Sequence, residues 1–270
     1  MLLDLETRRE EISGQRLWEG SLLLCRYLLQ ACANGDLDLR EKSVVELGAG
    51  TGIAGMLARG LGARPTVITD GDDRVVNMAK MNLVANAIPP SEALATVLRW
   101  GDSASKEVFL ETLTVWRRET SEGRDSSPGG EHNESRVEQH QGPLPPPFDL
   151  VIAGDVLYKP SLLHPLLETA KGLLMAGVGE GGRDKDNRDC RGERRVRMII
   201  CHVPRAGVTH KMVEEVLTST GFEFKVVGGK GGEREEECDG GVNVGGVDLC
   251  VEDALRARLY SIGMTGNIIS

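Results

Sequence analysis

None of the six cysteines (Cys25, Cys32, Cys190, Cys201, Cys238 and Cys250) stands in a CxxC pair, which argues against a zinc ribbon or a thioredoxin-type redox site. The five histidines show no metal-ligand spacing. No stretch approaches the ~20 apolar residues that a membrane-spanning helix needs, and the opening residues 1–11 are charged rather than apolar, unlike a secretory signal. A basic excess is also lacking: 41 acidic residues against 32 basic ones give a formal charge of −9. Phosphate contacts dominate affinity for nucleic acid, and its binders usually carry a basic face. The balance therefore argues mildly against nucleic acid and is equally compatible with attracting a basic peptide. These absences lead us to expect a soluble, cytoplasmic or nuclear protein in a reducing compartment, with Cys25, Cys201 and Cys250 as buried thiols.

What is present is enough for one core. The 270 residues are 40% hydrophobic, and a single domain over 1–270 is the expectation. Short apolar runs alternate with amphipathic ones. Strands are expected at 43–47, 66–69, 95–98, 148–153, 196–203, 222–227 and 258–264. Helices are expected at 17–29, 53–61, 74–85, 161–176 and 208–220, with a weaker helical pattern at 106–118. Strands that are apolar on both faces indicate a parallel sheet covered on both sides. The fold class is thus α/β: one Rossmann-like, seven-stranded, mostly parallel sheet with helices on both faces. Residues 119–147, 177–195 and 228–246 interrupt the rhythm. They are rich in Gly, Pro and charge and read as flexible surface insertions.

The densest signal is Val44-Val45-Glu46-Leu47-Gly48-Ala49-Gly50-Thr51-Gly52-Ile53-Ala54-Gly55, where the first strand turns into a helix. Ligands of open parallel sheets bind beyond such strand ends. Two ligands are compatible with the motif. Gly50 to Gly55 matches GxGxxG, and Asp70 follows Gly50 by twenty residues, the spacing of a dinucleotide site. Starting from Glu46 instead, an acid two residues before a GxGxG loop is the usual form of the first motif of a methyltransferase. A pyrophosphate disfavours a nearby carboxylate, whereas S-adenosylmethionine, with its ammonium and sulfonium, does not. Asp70 accepts ribose hydroxyls in either case.

Three more segments bear on this choice: Gly14-Gln15-Arg16-Leu17-Trp18-Glu19-Gly20-Ser21, Leu98-Arg99-Trp100-Gly101, and Phe148-Asp149-Leu150-Val151-Ile152-Ala153-Gly154-Asp155-Val156-Leu157-Tyr158. With the glycine loop and Ile68-Thr69-Asp70, they resemble methyltransferase family 16. These are seven-β-strand protein-lysine methyltransferases that include the methyltransferase-like 21 and calmodulin-lysine enzymes. The resemblance covers about 12–102 and 148–176.

It implies S-adenosylmethionine as cofactor and S-adenosylhomocysteine as product. It also implies a protein substrate such as a chaperone or translation factor, and a monomer. Cofactor-binding roles carry over to Trp18 (closing the site), Glu46, Gly48, Ala49, Gly50, Asp70 (ribose), Trp100 (beside the adenine) and Gly154. Asp155 and Tyr158 match the family's DxxY motif near the transferring methyl. The stretch between Trp100 and Phe148 is longer than the family's usual spacing, and the segment before Gly14 is shorter.

An acceptor lysine has an ordinary pKa near 10.4 and must lose its proton first. The implied scheme has Asp155 orient the ammonium while Tyr158 offers a cation–π face. Each residue also has a purely structural reading: Trp18 and Trp100 as core tryptophans, Asp155 as a helix N-cap, Tyr158 as the end of a strand. Asp72 and Asp73 read as the cap and first turn of the helix near Arg74, and His164, His202 and His210 as structural. Other acceptors, a non-catalytic binding module and a nicotinamide-dependent oxidoreductase remain alternatives at this level.

Overall fold

The computed structural model describes residues 13–122, 148–175, 198–228, 243–244, 247–248 and 256–264. Its elements run β1 (Val44–Leu47), β2 (Thr66–Asp70), β3 (Ala93–Val97), β4 (Leu150–Gly154), β5 (Met198–His202), β6 (Phe222–Gly228), β7 (Asn243–Val244), β8 (Val247–Asp248) and β9 (Arg258–Met264). The helices are α1 (Glu19–Ala33), α2 (Ile53–Gly60), α3 (Asp73–Ala85), α4 (Ser103–Glu122), α5 (Leu163–Met175) and α6 (His210–Ser219). A 3₁₀ turn, Ser13–Gln15, precedes α1.

Seven strands form one sheet in the order β3-β2-β1-β4-β5-β9-β6. All neighbours are parallel except β9, which runs antiparallel to both β5 and β6. The α/β expectation is met, and the mixed edge follows from β9 entering between two earlier strands. Strand order reverses between β1 and β4, because β1 leads outward to β2 on one side while β4 starts the other half. Such a switch point opens a crevice at the C-terminal strand ends.

Side-chain alternation assigns each strand residue to a face. Val45, Leu47, Val67, Val151, Ala153, Met198 and Ile200 point to α4, α5 and α6, where Phe109, Leu113, Leu166 and Leu217 are fully buried. Val44, Leu150, Ile152, Ile199 and Cys201 meet Leu24 and Leu28 of α1 and Ala54 and Ala58 of α2. Ile68 and Ala95 meet Val76, Ala79 and Leu83 of α3 on that same side. Burying a leucine is worth roughly 2 kcal/mol, so these two layers supply most of the cohesion.

Several boundaries differ from the sequence expectations. Helix α4 is longer than 106–118, because Phe109, Leu113 and Trp116 form an i, i+4, i+7 apolar stripe that carries solvent-exposed turns with it. Its end reaches into the segment read as an insertion, and the rest of that segment, 123–147, lies outside the described residues, as does 177–195. At the end of 228–246, β7 pairs with β8, just beyond that segment, as a two-stranded ladder. Cys25 and Cys201 are buried free thiols; Cys250 is outside the described residues. His202 and His210 pack edge-to-face at 5.1 Å between centroids. His164 is exposed instead.

Candidate active site

A cavity of about 530 Å³ opens at the β1/β4 switch point, a volume typical of small-molecule sites. Gly48, Ala49, Gly50 and Thr51 of the glycine loop line it. Gly48 has φ 65°, and a Cβ there would lie 2.7 Å from Val156 Cγ1 and 3.0 Å from Trp100 Cζ2. Only glycine satisfies both the backbone conformation and the packing. Asp70, Val75, Leu98 and Trp100 line the cavity, together with Trp18, Ser21, Gly154, Asp155, Tyr158 and Arg205.

The loop's own hydrogen bonds decide which ligand it suits. The Ala49 N–H donates to Thr69 O (2.9 Å), the Gly52 N–H to Ala49 O (2.9 Å) and the Gly50 N–H to Asp70 Oδ2 (3.1 Å). The Gly55 N–H, in the first turn of α2, donates to Glu46 Oε2 at 2.7 Å. A pyrophosphate on a helix N-terminus needs such donors free. Here carboxylates of the chain take the Gly55 and Gly50 donors, which disfavours a ligand phosphate at those two groups.

Glu46 was expected at the ligand, and the structure places it off the cavity wall. Leu47 and Val45 point to the α4–α6 face, so alternation sends Glu46 to the α2 face, where it is 1% exposed and satisfies the start of α2. Burial pushes its pKa up to about 8, opposed by the Gly55 N–H and assisted by the charge of Asp70. Its carboxylate holds the start of α2, just behind the glycine loop, through the Gly55 N–H.

The other expected cofactor residues, Trp18, Gly48, Ala49, Gly50, Asp70, Trp100 and Gly154, all line the cavity. Asp70 ends β2, its Oδ2 taken by Gly50 and its Oδ1 by the Asp72 N–H (3.1 Å); burial raises its pKa. Each oxygen retains a lone pair for a hydroxyl donor. Trp100 Nε1 is buried without a hydrogen-bond partner among the described residues. A buried indole N–H normally has an acceptor, and this one borders the cavity, where a ligand could provide it. Gly154 is constrained by α1: a Cβ would sit 2.8 Å from Ser21 Cα, and Ser21 Oγ donates to Gly154 O (3.3 Å). Asp72 is the N-cap of α3, accepting from the Arg74 N–H at 2.8 Å, as its sequence position indicated.

Asp155 sits just beyond β4 with φ 60°, a region that non-glycine residues enter at a cost. It is not a helix N-cap. Its carboxylate is buried and held by Arg205, with Nη1 donating to Oδ2 (3.0 Å) and Nη2 lying 2.9 Å from Oδ1. The Gly20 N–H in the first turn of α1 also donates to it. Burial raises the Asp155 pKa, opposed chiefly by Arg205. The carboxylate is therefore already paired with a cation, not a bare anion awaiting an ammonium. Tyr158 stands at the mouth, 41% exposed, with Lys159 Nζ 5.6 Å from its ring. Arg205 had no sequence signal: it follows a strand whose only pattern is apolarity, and it joins the site through tertiary contacts alone.

Comparison with known proteins bears on the same region. Residues 1–114 match the lysine methyltransferase family model. The resemblance read from the sequence to this methyltransferase family is borne out there, across the glycine loop, Asp70 and Trp100. The chain is similar to the protein N-lysine methyltransferase METTL21A of Xenopus tropicalis, with 40% identity over 91 residues, covering 32% of this chain and 39% of the relative. To the mouse protein of that name it is 31% identical over 157 residues, covering 57% and 52%. To the mouse EEF1A lysine methyltransferase 3 it is 38% identical over 88 residues, covering 32% and 34%. The matches thus span about half or less of the length of these relatives.

Proposed function

We propose that the chain is an S-adenosylmethionine-dependent methyltransferase that transfers a methyl group to the side-chain amine of a lysine in a protein substrate. The observation that carries the reading is the pair of carboxylates at the glycine loop: Asp70 takes the Gly50 N–H, and Glu46 takes the Gly55 N–H at the start of α2. It suits a cationic, phosphate-free nucleoside rather than a dinucleotide. The lysine methyltransferase relatives support the acceptor class.

The residues fit that cofactor. Asp70 would take the ribose hydroxyls, the ring of Trp100 would lie beside the base with its N–H toward an acceptor, and Gly48, Ala49 and Gly50 would leave room for the methionine end. Trp18 and Gly154 would close the site around it. Bound there, S-adenosylmethionine contributes a methyl on a sulfonium, and its product is S-adenosylhomocysteine.

The chain's own task is to admit, orient and deprotonate the amine. Positioning is effective because holding two reactants together removes most of the entropic cost of meeting. The compensated Asp155–Arg205 pair accepts a hydrogen bond from the amine without offering a full negative charge, which keeps the amine's pKa from rising. Tyr158 at the mouth gives the lysine stem an aromatic face, and the released proton passes to water.

As protein substrate we favour a translation factor over a chaperone, because one relative is named for EEF1A. We further read the protein as a monomer, on the strength of the family resemblance, and assign it to the cytoplasm or nucleus on the composition of its sequence. Labelled methyl transfer into a cell lysate tests the activity, with Asp155→Ala as control. A labelled protein whose hydrolysate contains methyl-lysine, absent with the variant, is the expected result. Label confined to RNA or small molecules would refute the lysine acceptor.

A further inference from the structure

We infer that Arg205 is a positioning residue: its guanidinium fixes the Asp155 carboxylate at the acceptor end of the cavity and clamps it to the start of α1 through Trp18. The inference rests on the reading that Asp155 faces the acceptor amine.

Three contacts define the clamp. Arg205 meets both carboxylate oxygens of Asp155 and donates through Nη2 to the Asp155 main-chain O at 2.8 Å. Its guanidinium carbon lies 4.4 Å from the centroid of Trp18, the residue that immediately precedes α1. One side chain thus joins the end of β4, the loop after β5 and the start of α1. The main-chain bond counters the tendency of Asp155 to leave φ 60°, assisted by the Asp155 N–H, which donates to Cys201 O at 2.9 Å.

The charges around Asp155 explain why an arginine is needed. Its side chain is 2% exposed, and a buried carboxylate without a partner is strongly disfavoured. Facing it are Arg205 from the β5–α6 connection, the Gly20 N–H and the Glu19 carboxylate from α1, and the Cys201 thiol on β5. Among these, Arg205 is the only full positive charge. Glu19 opposes ionisation, so without Arg205 the balance turns toward the neutral acid.

A second role has the same ingredients: the guanidinium as a stand-in for the substrate cation, displaced when lysine enters. The three-point contact disfavours it, because an ammonium is a point charge and does not reproduce a fork that also holds a main-chain oxygen. The two roles differ in sign. A stand-in, once removed, leaves a better lysine site; a positioning residue, once removed, leaves a worse one.

The test uses the full chain as wild type, Arg205→Ala, Arg205→Lys and Asp155→Asn. The Asp155 carboxyl is titrated by ¹³C NMR without cofactor, its resonance assigned by its loss in Asp155→Asn. Methyl-transfer kcat and KM are followed against pH. We expect Arg205→Ala to raise the Asp155 midpoint by about one pH unit or more. The acidic limb of the rate profile should move with it, and kcat should fall about tenfold or more at neutral pH. Arg205→Lys, which keeps the charge and loses the fork, should restore much of the midpoint and less of the rate. If the alanine variant does not fold, the lysine variant decides alone, by a smaller upward shift with reduced kcat. An unchanged midpoint and limb would overturn the inference, as would a lower KM at wild-type kcat. Wild-type turnover in Asp155→Asn would remove the catalytic reading of Asp155, while the NMR midpoint would still report the clamp.

Discussion

Replacing Glu46 by Gln isolates a single buried carboxyl. Glu46 is buried against α2, and burial lifts its pKa from 4.5 to about 8. Between those values the folded chain retains a proton that the unfolded chain has released, so raising the pH favours unfolding. The stabilisation is fully present below about pH 4.5 and is lost as the pH rises through about 8. Every pH unit that separates the folded and unfolded midpoints is worth about 1.4 kcal/mol, so the whole interval amounts to roughly 4 to 5 kcal/mol as an upper bound. That is a large share of the ~5–15 kcal/mol that holds a domain together.

Gln keeps the oxygen that accepts from the Gly55 N–H and cannot ionise. The expected outcome is that wild type loses stability relative to Glu46→Gln as urea unfolding is repeated from pH 5 to pH 8.5, with the difference growing by at least 2 kcal/mol, roughly half the bound. Titrating groups that do not interact with Glu46, such as His202, are common to both chains and cancel; Asp70, whose charge helps to raise the Glu46 pKa, belongs to the same step and is read with it. Parallel stability curves would refute the reasoning, and would mean that the carboxyl is solvated or paired in the folded chain.

Trp100→Phe keeps one aromatic ring and removes the rest of the indole together with its N–H. Because Trp100 packs against the core and Gly48, the melting temperature of the cofactor-free chain should fall by several degrees, and cofactor binding should weaken about five- to tenfold by calorimetry. Gly20→Ala places a Cβ 2.5 Å from Asp155 Cβ; the melting temperature should fall by several degrees, in line with about 1–3 kcal/mol of overpacking, and transfer should fall with it. Asp70→Ala frees the Gly50 N–H and deletes the hydroxyl acceptor, so cofactor affinity should drop by about tenfold or more in the same calorimeter, with the secondary structure seen by circular dichroism retained.

The half of the site nearest the glycine loop was legible because its determinants are local. Val44 to Gly55 and Asp70 lie on two successive strand ends, and a parallel sheet brings such ends together without help from the rest of the chain. The acceptor half was legible only through resemblance. Nothing in the spacing of Trp18, Asp155 and Tyr158 states that α1 lies across β4; that contact depends on Gly20 and Gly154 lacking side chains, a packing fact that a single sequence does not display. Arg205 was invisible for the same reason. Glu46 was identified but assigned the wrong neighbour, although the alternation of β1 contained the answer: two positions after Val44 it shares that residue's face, beneath α2. The helix at 106–118 was underextended because only one stripe of α4 is apolar, and the polar turns at its ends carry no periodicity.

The place of β9 in the sheet has a bearing on how the protein is made. Residues 258–264 pair with β5 on one side and β6 on the other, so a ribosome must synthesise both outer strands before the strand that joins them. Until then β5 and β6 each offer an unpaired row of main-chain donors and acceptors to other chains. A nascent or C-terminally shortened product would carry its glycine loop intact yet hold an open seam through half the sheet, making solubility during synthesis, rather than cofactor recognition, the property most sensitive to the last strand.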